Sequence, residues 1–152
     1  MNVEFDSSEL TLTEADIRRF EEEVGVKLPQ DYLECLLKNN GGVPRPADFK
    51  HKALGEDVVN CVTGFFPLRA KPGRRDLREA WREARQELPQ GFLPFGRDLG
   101  GELLCLCLKP EDYGSVHRSD GFVEDIGCPV MMHRLANSFS TFLEMLFDEE
   151  AG

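Results

Sequence analysis

The sequence predicts an α+β fold: a central, mostly antiparallel sheet of short strands, with two N-terminal helices, one middle helix and a C-terminal helix. Three observations predict it. Two stretches near the N-terminus place apolar residues at helical spacing. The middle of the chain breaks into short apolar and aromatic runs separated by turn residues. The C-terminal stretch returns to helical spacing, an order of elements that suits α+β architecture. At 152 residues the chain fits one domain, with a core over about 12–147, large enough to fold without disulfide or metal.

Thr13 is placed to cap the first helix, with Glu14 and Asp16 in its first turn. Ile17, Phe20 and Val24 mark its apolar face, and Gly25 stops it. Pro29 suits the first position of a second helix, which carries Tyr32, Leu33, Leu36 and Leu37 and ends at Asn39-Asn40-Gly41-Gly42. Strands are expected over 58–62 and 65–68, the second closing in the basic turn Lys71-Pro72-Gly73. Leu77, Trp81, Ala84 and Leu88 give a third helical stripe before Pro89.

Residues 92–95 read as a short extended piece, Asp98-Leu99-Gly100-Gly101 as a turn and 103–108 as a strand. That strand sets Leu104, Leu106 and Leu108 on one side and Leu103, Cys105 and Cys107 on the other. Both faces are apolar, which predicts a central position covered on both sides. Further short strands are expected at 113–117 and 122–124, separated by Ser119-Asp120-Gly121, and another at 130–133. The last helix starts near Ser138 and aligns Phe139, Phe142, Leu143, Leu146 and Phe147.

Charge narrows the function classes. The net charge is −10, with eight acids in residues 1–23 against Arg18 and Arg19. Glu111, Asp112, Asp120, Glu124 and Asp125 face one base, Arg118, between 111 and 125. Such a surface repels phosphate backbones, so nucleic-acid binding is disfavoured, while a basic protein is attracted. The basic stretch 69–85 holds Arg69, Lys71, Arg74, Arg75, Arg78, Arg82 and Arg85 among acids, and reads as a solvated helix face with pairs such as Arg75–Glu79. The longest unbroken apolar run is Leu103 to Leu108, against the ~20 residues a spanning helix needs, so no membrane segment is expected. The N-terminus has no basic region followed by an apolar stretch, and a cytoplasmic protein is expected.

Catalytic and metal motifs are lacking. The five cysteines form no C-x-x-C and read as buried reduced thiols. His51, His117, His133 and Cys128 have no ligand spacing, so no metal or other cofactor is expected. There is no G-x-S-x-G, phosphate loop or dinucleotide fingerprint, and the adjacent acids Glu124-Asp125 read as a solvated turn.

Three stretches in order resemble the SUKH superfamily, in particular the Smi/Knr group related to a fungal cell-wall assembly regulator. The first runs from Leu12-Thr13-Glu14 through Gly25-Val26-Lys27-Leu28-Pro29 and Tyr32 to Asn39-Asn40-Gly41-Gly42. The second is Gly91-Phe92-Leu93-Pro94-Phe95-Gly96 followed by Gly100-Gly101-Glu102-Leu103-Leu104. The third is Leu135-Ala136-Asn137-Ser138-Phe139-Ser140-Thr141-Phe142-Leu143. Glu102 stands where Asp is common, and His117-Arg118-Ser119-Asp120 stands where aromatic residues are often found.

The resemblance implies a SUKH-like fold and a binding role. Bacterial members act as immunity proteins against polymorphic or contact-dependent toxins, often nucleases, and fungal members regulate through protein contacts. The leading expectation is a monomeric, non-enzymatic immunity protein that neutralises a cognate basic toxin by stoichiometric binding. A regulatory adaptor is the alternative, and an enzyme of unknown reaction the third. The candidate contacts are acids on loops after the central strands: Asp98, Glu102, Glu111, Asp112, Asp120, Glu124 and Asp125.

Overall fold

A computed structural model describes residues 3–6, 8–69, 73, 75–120 and 131–149. Among the described residues, three of the four helices begin where a side chain caps them. α1 (Glu14–Val24) opens on a reciprocal capping box: Asp16 N–H donates to Thr13 Oγ1 at 3.2 Å, and Thr13 N–H donates to Asp16 Oδ2 at 2.9 Å. Gly25 ends it at φ 71°, a left-handed geometry that costs glycine little. Leu28 N–H then donates to Glu21 Oε2 at 2.7 Å and fixes the step into α2 (Gln30–Lys38). Pro29 occupies the cap position just before that helix. α3 (Leu77–Glu87) is capped by Asp76, and α4 (Phe139–Met145) by Ser138.

Six antiparallel strands form the main sheet in chain order: β3 (Asp48–Ala53), β4 (Glu56–Phe65), β5 (Phe92–Asp98), β6 (Leu103–Cys107), β7 (Val116–Asp120) and β8 (Met131–Ala136). β6 lies between β5 and β7 and is covered on both sides, as its apolar alternation predicts. Leu104 and Leu106 belong to the main core with Ile17, Phe20, Tyr32, Phe95, Phe139 and Phe142. Cys105 and Cys107 join Phe92 in a smaller cluster on the other face, with Leu88, Leu103 and Met132 packed against it. α3 packs against β5, and Leu88 just beyond its end reaches the second cluster.

Helix α4 is docked by chemistry at both ends of the chain. Asp31 Oδ2, on the first turn of α2, accepts from Ser140 N–H at 2.9 Å, while the Tyr32 and Phe139 rings meet edge-on at 5.0 Å. Asn40, 2 % exposed, donates to Leu10 O and Arg69 O and accepts from Leu68 N–H, so one side chain satisfies three backbone groups on two other segments. Gly42 sits at φ 99°, where a Cβ would lie 2.5 Å from Asp6 O. No side chain fits that close approach to the first strand.

Several expectations are corrected. β1 (Glu4–Asp6) and β2 (Val43–Arg45) form a separate antiparallel pair that three-residue segments do not announce. β3 also escapes apolar periodicity, because Phe49 is its one fully buried residue among Asp, Lys and His. The strand expected over 58–62 is the longer β4, which ends at Phe65, so the second strand expected over 65–68 does not form. Lys71 and Pro72 lie outside the described residues. β7 begins later than expected, since Gly114 at φ 92° belongs to the preceding turn, and Ser119 and Asp120 are strand residues. The strand expected at 130–133 is β8, and that at 122–124 lies outside the described residues. After α4 the chain extends, and Phe147 exchanges backbone hydrogen bonds of 2.9 and 3.0 Å with Asp48. Among the described residues no helix is long and apolar enough to cross a membrane.

Candidate functional site

The antiparallel register separates the candidate acids into two groups. Asp98 and Glu102 flank the β5–β6 turn, and Asp120 ends β7 at that same end of the sheet. Glu111 and Asp112 lie on a 3-10 turn (Pro110–Asp112) at the opposite end. The five residues of β6 put about 17 Å between the ends. Glu124 and Asp125 lie outside the described residues, on the connection between Asp120 and Met131.

Within each group the acids have different environments. Asp98 is buried: Oδ2 accepts from Arg118 Nε at 2.6 Å and Asn60 Nδ2 at 3.1 Å, and Oδ1 accepts from Glu102 N–H at 2.9 Å. Its carboxylate therefore shapes the turn instead of meeting a partner. Glu102 is half-buried and accepts from Ser119 Oγ at 3.1 Å. Asp120 is half-buried and lies 3.4 Å from His133 Nε2. Glu111 is exposed. Asp112 accepts from Arg134 Nη2 at 2.5 Å, and that hydrogen bond holds its carboxyl below the ordinary range.

The sequence missed a cleft of about 790 Å³ beside the Asp98 turn. Residues 43–48, 59–62, Leu99 and 147–149 line it, bringing β2, β4 and the C-terminal extension together. Asp48, Asp148 and Glu149 give it an acidic side, and Arg45 lies among them. Leu99 is 73 % exposed at the turn, while its N–H donates to Cys61 O at 2.9 Å and holds the turn against β4. An apolar residue in Asp-Leu-Gly-Gly was the available signal. The rest of the cleft depends on segments far apart in the chain.

Three bases of the basic stretch form ion pairs among the described residues. Arg75 pairs with Glu83 rather than Glu79, at 2.5 Å, Arg78 with Glu23 at 2.5 Å and Arg69 with Asp16 at 3.6 Å. Arg45 is paired with Asp6 and Lys52 with Asp57.

Nucleophile chemistry finds little support in the described cysteines. Burial pushes the Cys35 thiol up to about 12 and the Cys105 thiol well above its ordinary value, which suppresses the reactive thiolate. Ser115, His117 and Asp112 meet, but Ser115 Oγ at 2.8 Å and Asp112 Oδ2 at 3.4 Å share one ring nitrogen, Nε2. A relay needs the carboxylate on the other nitrogen. His117 Nδ1 is buried with no hydrogen-bond partner among the described residues. Cys107, Asp112 and His117 each bring a potential metal ligand within 4.8 Å of the others, a gathering that the sequence expectation of no metal did not include.

No curated protein matches the chain. Residues 11–145 match the SMI1 / KNR4 family (SUKH-1), covering every element from α1 to α4. The chain belongs to the SMI1 / KNR4 family (SUKH-1).

Proposed function

We propose that this protein is an immunity protein that binds one cognate toxin in the cytoplasm and neutralises it stoichiometrically, with no catalytic step of its own. Family membership is compatible with a binding role. The observation that carries the choice of surface is the cleft beside the Asp98 turn, where exposed Leu99 adjoins the acids Asp48, Asp148 and Glu149. An apolar anchor within a charged rim is the arrangement of a protein interface. The acidic side and the −10 net charge suit a basic partner. Glu102 and Asp120 extend the acidic end of the sheet, whereas Glu111 and Asp112 belong to a second surface.

Co-expression with the toxin encoded beside it tests the proposal. Cells survive if the reading is right, and Leu99→Asp abolishes protection while the protein remains folded. Death of cells holding abundant folded wild-type protein rejects the immunity role. Full protection by Leu99→Asp rejects the surface.

A further inference from the structure

We propose that Cys107, Asp112 and His117 form a binding site for one divalent transition-metal cation of the zinc class. The site is independent of the proposed toxin-binding role. Its residues are five apart in sequence, and the β6–β7 hairpin folds them together. Cys107 closes β6, Asp112 ends the 3-10 turn and His117 lies in β7. Gly114 N–H donates to Cys107 O at 2.8 Å and Cys107 N–H donates to Ser115 O at 2.9 Å, so backbone bonds hold the loop closed over the group.

The donor set suits the ion. Thiolate, imidazole and carboxylate are all ligands that zinc accepts, with metal–ligand lengths of about 2.0–2.3 Å. Tetrahedral ligands at those lengths stand about 3.3–3.8 Å apart. The observed separations within 4.8 Å need a contraction of roughly an ångström, within reach of side-chain rotation. His117 Nε2 already lies 3.4 Å from Asp112 Oδ2, and Ser115 Oγ at 2.8 Å is positioned as a fourth oxygen donor or a support.

The metal-free pocket leaves polar capacity unused. Ser115 Oγ donates to Asp112 O at 3.0 Å, and the same oxygen lies 2.8 Å from His117 Nε2. His117 Nδ1 is buried with no hydrogen-bond partner among the described residues. The Phe92 ring packs edge-on against the imidazole, with the centroids 5.1 Å apart.

Arg134 opposes loading. Its guanidinium donates to the same Asp112 oxygen and also to Asn137 Oδ1. An incoming cation must displace it from Asp112, which gives the site a competitor whose removal tightens binding.

The test titrates reduced, chelator-treated full-length protein with Co²⁺ and then Zn²⁺. Expected is one Co²⁺ per chain with thiolate-to-cobalt charge-transfer absorption, displaced by Zn²⁺. Cys107→Ser removes that absorption, Asp112→Asn weakens affinity tenfold or more, and Arg134→Gln strengthens it several-fold. Because the Asp112 side chain and that of Arg134 on β8 are partly exposed, their variants decide the matter even if Cys107→Ser fails to fold. No charge-transfer absorption in the wild type overturns the proposal. So does wild-type affinity in Asp112→Asn, or absorption that persists in folded Cys107→Ser.

Discussion

Asp98 on β5 and Arg118 on β7 are joined across the end of β6 by a 2.6 Å hydrogen-bonded ion pair, with the Asp98 side chain wholly buried and that of Arg118 14 % exposed. The pair also receives Asn60 from β4, so three strands and the β5–β6 turn converge on one carboxylate. Charges taken from water at this depth are tolerable only when paired and hydrogen-bonded.

Asp98→Ala therefore leaves Arg118 buried without its counter-charge and should cost about 3–5 kcal/mol. The double variant Asp98→Ala/Arg118→Met should recover part of that loss, because the orphaned charge is gone. Urea unfolding midpoints measure both. A double variant no more stable than Asp98→Ala would mean that the carboxylate acts chiefly through the turn N–H groups it accepts from.

His117 makes stability depend on pH. Burial lowers its folded pKa beneath the ordinary 6.5, with the Arg134 and Lys109 charges adding to the fall and Asp112 opposing it. The unfolded chain then binds more protons in this range, so stability rises with pH between the folded value and 6.5. In chelator, the His117 contribution should be complete above about 6.5 and should decline as pH falls below it. His117→Gln should remove that component of the slope, read from denaturant midpoints across pH 5 to 7.5. An unchanged slope would show that the ring titrates alike in both states.

Legibility in the sequence followed the range of the interactions. The cap at Thr13, the stop at Gly25 and the two-sided strand around Leu106 depend on neighbours within a few residues, and all are readable there. β3 carries one buried apolar residue and is held by register with β4 and by the backbone exchange of Asp48 with Phe147. No local periodicity reports such a strand. The candidate acids illustrate the same limit. Asp98 and Glu111 look alike as loop carboxylates, yet the fold buries one against Arg118 and exposes the other at the far end of the sheet. The family resemblance was readable because its motifs are core and turn residues, and for that reason it located the scaffold better than the contact surface.

Association with the proposed basic toxin should depend on salt. A −10 domain meeting a basic partner experiences attraction beyond contact range, and the screening length is ~8 Å at roughly 0.15 M salt. Association should therefore slow as salt rises, from ~10⁸ M⁻¹s⁻¹ at low salt toward the ~10⁵–10⁶ of unsteered pairs. Location then discriminates the surfaces. Asp148→Lys with Glu149→Lys alters the exposed rim of the cleft, whereas Glu22→Lys with Glu34→Lys makes the same change of net charge on α1 and α2. Steering falls off with distance from the interface, so the first pair should slow association about tenfold or more and the second pair considerably less. Stopped-flow binding to a catalytically dead toxin measures both rates. Equal slowing by the two pairs would assign the effect to net charge alone, and a larger effect from Glu22 and Glu34 would move the interface to the helical face.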